Sequence, residues 1–210
     1  SWATPIVVEH DGKLQVITSA THRTRSYDLA TGNLIWECGG MTDNTIPSPV
    51  AGDGMVYIMS GFRGNALQAI RLADASGDIS PERSEGSEAI VWAHDRDTPY
   101  VPSPLLYGDT LYFLKSNNGI LSCFNAKTGE AYYGPQRLDG IREVYASPVG
   151  ASNRVYIVDR DGATLVIKHG PEFEVLAQNV LDDGFDASPA IVDREIYLRG
   201  RKYLYCIAAD

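Results

Sequence analysis

Hydrophobic residues fall in short β-rich runs along most of this chain, each broken after a few positions by Gly, Asp, Asn or Ser. The stretch from Pro104 to Asn125 is representative. Pro104-Leu105-Leu106-Tyr107 is followed by Gly108-Asp109, then Thr110 to Lys115, then the polar group Ser116 to Gly119, then Ile120 to Asn125. Short apolar runs bounded by residues that turn easily are strand and hairpin signals. No segment carries a 3.6-residue period, so the pattern predicts an all-β protein with scarce helix.

The pattern also repeats. Ser48-Pro49, Ser103-Pro104, Ser147-Pro148 and Ser188-Pro189 recur, with Thr4-Pro5 as a weaker first copy, and the prolines lie 44, 55, 44 and 41 residues apart. That spacing is close to the roughly 40–45-residue period of four-stranded propeller blades. In four copies a tyrosine follows the proline by 8 residues, at Tyr57, Tyr112, Tyr156 and Tyr197. A fourth strand follows the turns Ala30-Thr31-Gly32-Asn33 and Ala126-Lys127-Thr128-Gly129, giving Leu34-Ile35-Trp36 and Ala131-Tyr132-Tyr133. In the second copy a polar stretch, residues 73–88, replaces this turn and predicts a mobile surface insertion before Ala89-Ile90-Val91-Trp92.

The expected fold is therefore a β-propeller of four-stranded antiparallel blades in a single domain, with repeats at approximately 1–43, 44–98, 99–142, 143–183 and 184–210. A β-sandwich is the alternative, but sandwich strands need not repeat in sequence. The last copy stops in its third strand, and only Ser1 and Trp2 precede the first inner strand, too little to supply a fourth. Either the ring is an open arc, part of a larger ring of about eight blades completed by further polypeptide, or five blades close imperfectly. The need to cover sheet edges favours the arc. Ser1 leads straight into a strand with no Met or leader, so the true N-terminus is expected to be processed or to lie outside these residues.

Charge narrows the partners. With 18 basic and 27 acidic residues the formal charge is -9, which repels a phosphate backbone, and nucleic acid is not expected. No apolar run approaches the roughly 20 residues a membrane helix needs.

Tyr27-Asp28-Leu29-Ala30-Thr31-Gly32-Asn33-Leu34-Ile35-Trp36 resembles the repeat of the PQQ-like (pyrroloquinoline-quinone-like) propeller family, in which an Asp-x-x-Thr-Gly turn leads to a strand ending in a docking tryptophan. Phe124-Asn125-Ala126-Lys127-Thr128-Gly129-Glu130 is a second copy, with Tyr133 where the tryptophan would be. The fourth and fifth copies lack the Thr-Gly turn. The family includes quinoprotein dehydrogenases that hold pyrroloquinoline quinone and calcium over the ring axis. It also includes a non-enzymatic propeller lipoprotein of the bacterial outer-membrane assembly machine, which binds proteins. The resemblance thus implies a bacterial periplasmic or cell-surface location, and it leaves two functions open. The dehydrogenases carry adjacent cysteines beside the quinone. No Cys-Cys pair occurs here.

The remaining chemistry is sparse. Cys38, Cys123 and Cys206 are expected to be small, buried and reduced, because Cys123 and Cys206 occupy equivalent points two blades apart, beyond the roughly 6 Å between Cα atoms that a disulfide spans. Asp159-Arg160-Asp161-Gly162 resembles the start of a calcium loop, but the twelfth position is Gly170 rather than Glu, so a hairpin turn is the better reading. His10, His22, His94 and His169 lack zinc-site spacing. No catalytic residue, metal site or resident cofactor is assigned, and the Ser-Pro serines belong to the architecture.

Function is left to loops. In a propeller the loops entering the inner strand and those joining the second and third strands open on one face, around the axis. Here they supply Arg63, Tyr100, Asn117, Arg142, Tyr145, Arg160, Asp186 and Arg201 as candidate binding residues, with Asp97, Glu143, Phe185, Asn118 and Lys202 beside them. Arginine and aromatic residues are favoured at binding hot spots. The expectation is a non-catalytic scaffold that binds a protein or extended ligand. The alternative is a quinone-dependent dehydrogenase with cofactor residues partly outside this chain.

Overall fold

A computed structural model describes residues 1–81 and 87–208, and the chain divides into two compact units. Unit 1 comprises Ser1–Tyr100 with Ala126–Gly129, and unit 2 comprises Val101–Asn125 with the chain from Glu130 onward.

Unit 1 carries two sheets. The first is built from β1 (Ile6–His10), β2 (Lys13–Ser19), β3 (Arg23–Asp28) and β4 (Leu34–Gly39), each antiparallel to the one before. The second contains β5 (Val50–Gly52), β6 (Met55–Ser60) and β7 (Ala66–Arg71), then, after the short β8 (Gly77–Asp78), it closes with β9 (Ile90–His94). Trp36, Ile17 and Cys38 of the first sheet pack against Val56, Ile58 and Ile70 of the second in one apolar cluster. Because β6 lies between packed faces, all six of its residues, Met55 to Ser60, are buried, and its sequence is an apolar run rather than an alternation.

Unit 2 carries three sheets. These are β10 (Leu105–Tyr107), β11 (Thr110–Leu114), β12 (Ile120–Asn125) and β13 (Ala131–Arg137); then β14 (Val149–Ala151), β15 (Arg154–Val158), β16 (Ala163–Lys168) and β17 (Val175–Val180); then β18 (Ala190–Val192), β19 (Glu195–Arg199) and β20 (Leu204–Ala208). Leu121, Cys123, Val155 and Ile167 join the first two of these sheets, and Val158, Phe185 and Leu198 join the last two. Meandering antiparallel sheets stacked face to face are propeller blades, and the chain has the all-β propeller fold. The single helical turn among the described residues is the 3₁₀ segment Leu72–Asp74.

The repeated dipeptide has a mechanical role. The Ser48 hydroxyl accepts the Thr4 N–H at 3.0 Å, Ser147 accepts the Ser103 N–H at 3.0 Å, and Ser188 accepts the Ser147 N–H at 2.9 Å. Each serine thus latches its sheet to the equivalent residue one repeat earlier. The Tyr112 hydroxyl likewise reaches the turn after β16, accepting the Gly170 N–H at 2.8 Å and lying 3.0 Å from His169 Nδ1.

The Asp-x-x-Thr-Gly turn is explained by its donors. Asp28 Oδ1 accepts the N–H of Ala30 and Thr31 and the Thr31 hydroxyl, and Gly32 takes φ +73 to close the turn. In the second such turn Gly129 has φ +74 and a Cβ there would sit 2.5 Å from the Trp92 ring. Trp92 docks on it and donates to the Ala126 carbonyl at 2.9 Å. Trp36 meets no such turn. It packs among Leu72, Ala75 and Ala89, and its indole N–H has no acceptor among the described residues.

Two expectations change. The segment expected as a surface insertion is partly built into unit 1, since Gly77–Asp78 adds in parallel to the outer edge of β4 and Ile79 and Ser80 are buried. Residues 82–86 of that segment lie outside the described residues. Cys38 and Cys123 are buried and unbridged as expected, but Cys206 is exposed, because β20 is the outermost described strand of its sheet. Burial pushes the Cys38 thiol up to about 12 and the Cys123 thiol up to about 11, which keeps both protonated at neutral pH.

Candidate partner-binding site

The loops that enter β14 and β18 and the turns after β15 and β19 meet at one end of unit 2. Asp159 organises the first of these junctions. It is 1% exposed, and its Oδ2 accepts the N–H groups of Arg142 at 2.6 Å and Glu143 at 3.0 Å while its Oδ1 accepts that of Asp161 at 2.7 Å. The carboxylate ties the turn after β15 to the loop entering β14. The hairpin reading of Asp159–Gly162 agrees with this geometry, with Asp159 N bonded to the Ala163 carbonyl across the turn.

On that junction stands a chain of alternating charges. Arg160 Nη1 lies 3.0 Å from Glu143 Oε1, its Nε donates to Asp186 Oδ1 at 2.6 Å, and its guanidinium carbon sits 4.0 Å above the Tyr145 ring. Arg201 then donates to Asp186 through Nε at 3.3 Å and Nη2 at 3.2 Å. Partial burial works to raise the Asp186 carboxyl, but the hydrogen bonds from Arg160 and Arg201 outweigh it and hold the group below its ordinary value. The same Asp186 bond, with that from Glu143, raises Arg160.

Asp183 anchors the second junction. Its carboxylate accepts N–H bonds from Gly184, Lys202 and Tyr203 and the Tyr205 hydroxyl bond. Burial would raise this carboxyl; the N–H donors lower it overall. An open cavity of ≈ 600 Å³ lies alongside, lined by Arg160, Asp161, Leu181, Asp182, Arg201 and Lys202 among others.

Of the expected residues, Tyr145, Arg160, Asp186 and Arg201 therefore form one contact network. Arg142 is exposed beside it. Asn117 serves the loops instead: its Oδ1 accepts the Val101 N–H at 3.0 Å and its carbonyl accepts the Val144 N–H at 2.8 Å. Phe185 is fully buried between the last two sheets, so it is a core residue.

Arg63 and Tyr100 belong to unit 1 and make a different cluster. Phe62 stacks on Tyr100 with centroids 4.8 Å apart and planes 24° apart, Arg63 lies 5.2 Å over the Phe62 ring, and its guanidinium is 4.0 Å from Asp43. Phe62, Asp159 and Asp183 were not among the expected binding residues. The repeat alignment carries a signal for Phe62, which falls at the place of Arg160.

The sequence pattern of the PQQ_2 family, described as outer membrane protein assembly factor BamB, matches residues 2–210. The chain belongs to this family. No curated protein sequence matches this PQQ_2 chain. Among solved structures, BamB from Moraxella catarrhalis is similar at 16% identity and a TM-score of 0.46, over 92% of this chain and 68% of that one. The computationally designed Ika8 protein is similar at 12% identity and a TM-score of 0.66, over 97% of this chain and 57% of that one. At these identities the likeness concerns fold. The repeat pattern matched by PQQ_2 spans all five sheets among the described residues.

Proposed function

We propose that this chain is a non-catalytic, protein-binding propeller of the bacterial periplasm that assists outer-membrane protein assembly, with the loop end of unit 2 as its partner site. The observation that carries the reading is the network Glu143, Arg160, Asp186 and Arg201 over Tyr145, held by the buried Asp159 and bordered by an open cavity. A rigid base that holds arginine and tyrosine at a surface is how a hot spot is presented. The family description, an assembly factor, supports a protein partner, and the net charge of -9 argues against nucleic acid.

Calcium has poor footing at this end. Asp159 and Asp183 direct their oxygens at backbone N–H groups and Asp186 at two guanidinium groups, which are not oxygen cages for a hard cation. The reading accordingly includes no quinone or calcium.

The test uses the immobilised full chain and an envelope extract, with variants chosen from exposed positions. Arg142→Glu combined with Arg201→Glu should abolish capture of the partner while leaving the far-UV circular dichroism unchanged, and Arg63→Ala should capture normally. Capture that survives the double variant would reject the assigned end. A quinone absorption band that develops on adding pyrroloquinoline quinone and calcium would replace the scaffold reading with a redox one.

A further inference from the structure

In the other complete sheets the connection between the third and fourth strands is short, residues 29–33, 126–130 and 169–174, whereas the second sheet uses residues 72–89. Part of this longer connection lies along the outer edge of the first sheet. Gly77 and Asp78 pair in parallel with Trp36 and Glu37, and the Ile79 N–H continues the ladder to the Glu37 carbonyl at 2.9 Å.

Each side chain of the segment is read separately. Asp78 lies 3.5 Å from Arg23 Nη1, which also holds Glu37 at 2.9 Å. Ile79 is 3% exposed and fills a slot in the cluster that contains Trp36, Cys38 and Met41. The Ser80 hydroxyl accepts the Gly39 N–H at 2.8 Å and donates to Asp78 Oδ1. Gly39 suits this approach, since a Cβ there would lie 3.1 Å from Ser80 Oγ. Main-chain pairing together with pockets for successive side chains is the mode by which sheet edges recognise extended peptides.

We propose that the outer edge of β4 is a strand-docking groove for an extended peptide of the pattern small–Asp–aliphatic–Ser, and that residues 77–80 occupy it in cis as an autoinhibitory strap. The ladder supplies affinity, Arg23 selects the acidic residue, the apolar slot selects the aliphatic one, and the Gly39 N–H selects the serine. Tethering gives the strap a high effective concentration, so a partner peptide enters only when the strap is displaced. The strap also keeps an otherwise open edge from pairing with other chains. This surface is independent of the loop end of unit 2, and either assignment can fail without the other.

The test uses the full chain with Cys206→Ser, so that among the cysteines only the buried pair remains, and a strap-silenced form carrying Asp78→Gly, Ile79→Gly and Ser80→Gly. The probe is the fluorescein-labelled peptide Ala-Ser-Gly-Asp-Ile-Ser-Pro, read by anisotropy. The silenced chain should bind it at least ~10-fold more tightly than the intact chain. Binding should be lost when the peptide's Asp is replaced by Lys or when Arg23→Glu is added. Bound peptide should slow the alkylation of Cys38, whose thiol lies 3.9 Å from the Ile79 carbonyl. Should the silenced chain fail to fold, Ile79→Ala alone should speed Cys38 alkylation and excess peptide should reverse the gain. Equal binding by intact and silenced chains, no binding by a folded silenced chain, or self-association in place of peptide uptake would each overturn the proposal.

Discussion

The turn between the second and third strands is built twice with different chemistry at the same repeat position. In unit 1 it carries Phe62, stacked on Tyr100 of the loop that follows its sheet and enters β10; in unit 2 it carries Arg160, set 4.0 Å over Tyr145 of the preceding loop, which enters β14. The tyrosines come from opposite sides of the turn, the next loop in one case and the preceding loop in the other, and the group set on the ring is an apolar ring in unit 1 and a cation in unit 2. Around Phe62 the charges are loose, with Arg63 74% exposed and 4.0 Å from Asp43. Around Arg160, 24% exposed, two carboxylates close in at 3.0 and 2.6 Å. Equivalent turns of the repeat thus meet different neighbouring loops with different chemistry, so they need not share a function.

The comparison breaks first at the support beneath Arg160. Asp159→Ala leaves three N–H groups without their acceptor, and unit 2 should lose about 2–3 kcal/mol, measured as a lower urea midpoint at unchanged slope. An unchanged midpoint would mean that the charged network stands without its clamp.

Removing the cation comes next. Arg160→Ala gives up the contact with Tyr145 and leaves Asp186 and Glu143 facing each other, at a cost of about 1–2 kcal/mol. Arg160→Phe sharpens the contrast, because it imposes the chemistry of unit 1 on unit 2. Its signature is in pH. Asp186 titrates below its ordinary value of 3.8 in the folded chain, so the stability it contributes is complete above that value and is lost as pH falls through the depressed folded one. In Arg160→Phe this acid limb should become shallower in a pH series of urea midpoints; an unaltered limb would assign the lowering to Arg201 alone.

Smaller effects belong to unit 1. Phe62→Ala should cost about 1 kcal/mol through loss of the stack with Tyr100, read from the same midpoint. Arg63→Ala should change stability by less than about 0.5 kcal/mol, as expected of an exposed ion pair, and a larger loss would show Arg63 to be as built in as Arg160.

Much of the fold was legible because its signals are local. The strands from Leu105 to Asn125 fall almost where the apolar runs place them, and the Ser-Pro spacing marks the latches that join successive sheets. The Thr-Gly turns were legible for the same reason, since Asp28 bonds to residues two and three positions on. The candidate site was legible in part. Arg160, Asp186 and Arg201 stood out as charges at loop positions, but Phe185, next to Asp186 in the loop that enters β18, is core. Asp159 read as an ordinary hairpin-turn residue and Asp183 did not stand out, because a carboxylate's acceptor role depends on which N–H groups the fold brings to it. The strap could not be read at all. Residues 77–80 hold one apolar side chain, Ile79, too short a run to read as a strand, and only the pairing of Gly77–Asp78 with Trp36 and Glu37 of β4 makes one there.

The amino-acid order alone therefore determined what depends on near neighbours: β-structure, the period of the repeat, the turn chemistry and the family. Tertiary structure decided whatever depends on groups far apart in sequence meeting across loops or edges, namely which loop charges pair, which acids become buried clamps, and where the insertion of the second repeat docks. Hydrogen bonds and ion pairs are short-ranged and directional, so the partners of a polar side chain are set by the packed backbone rather than by its place in the chain.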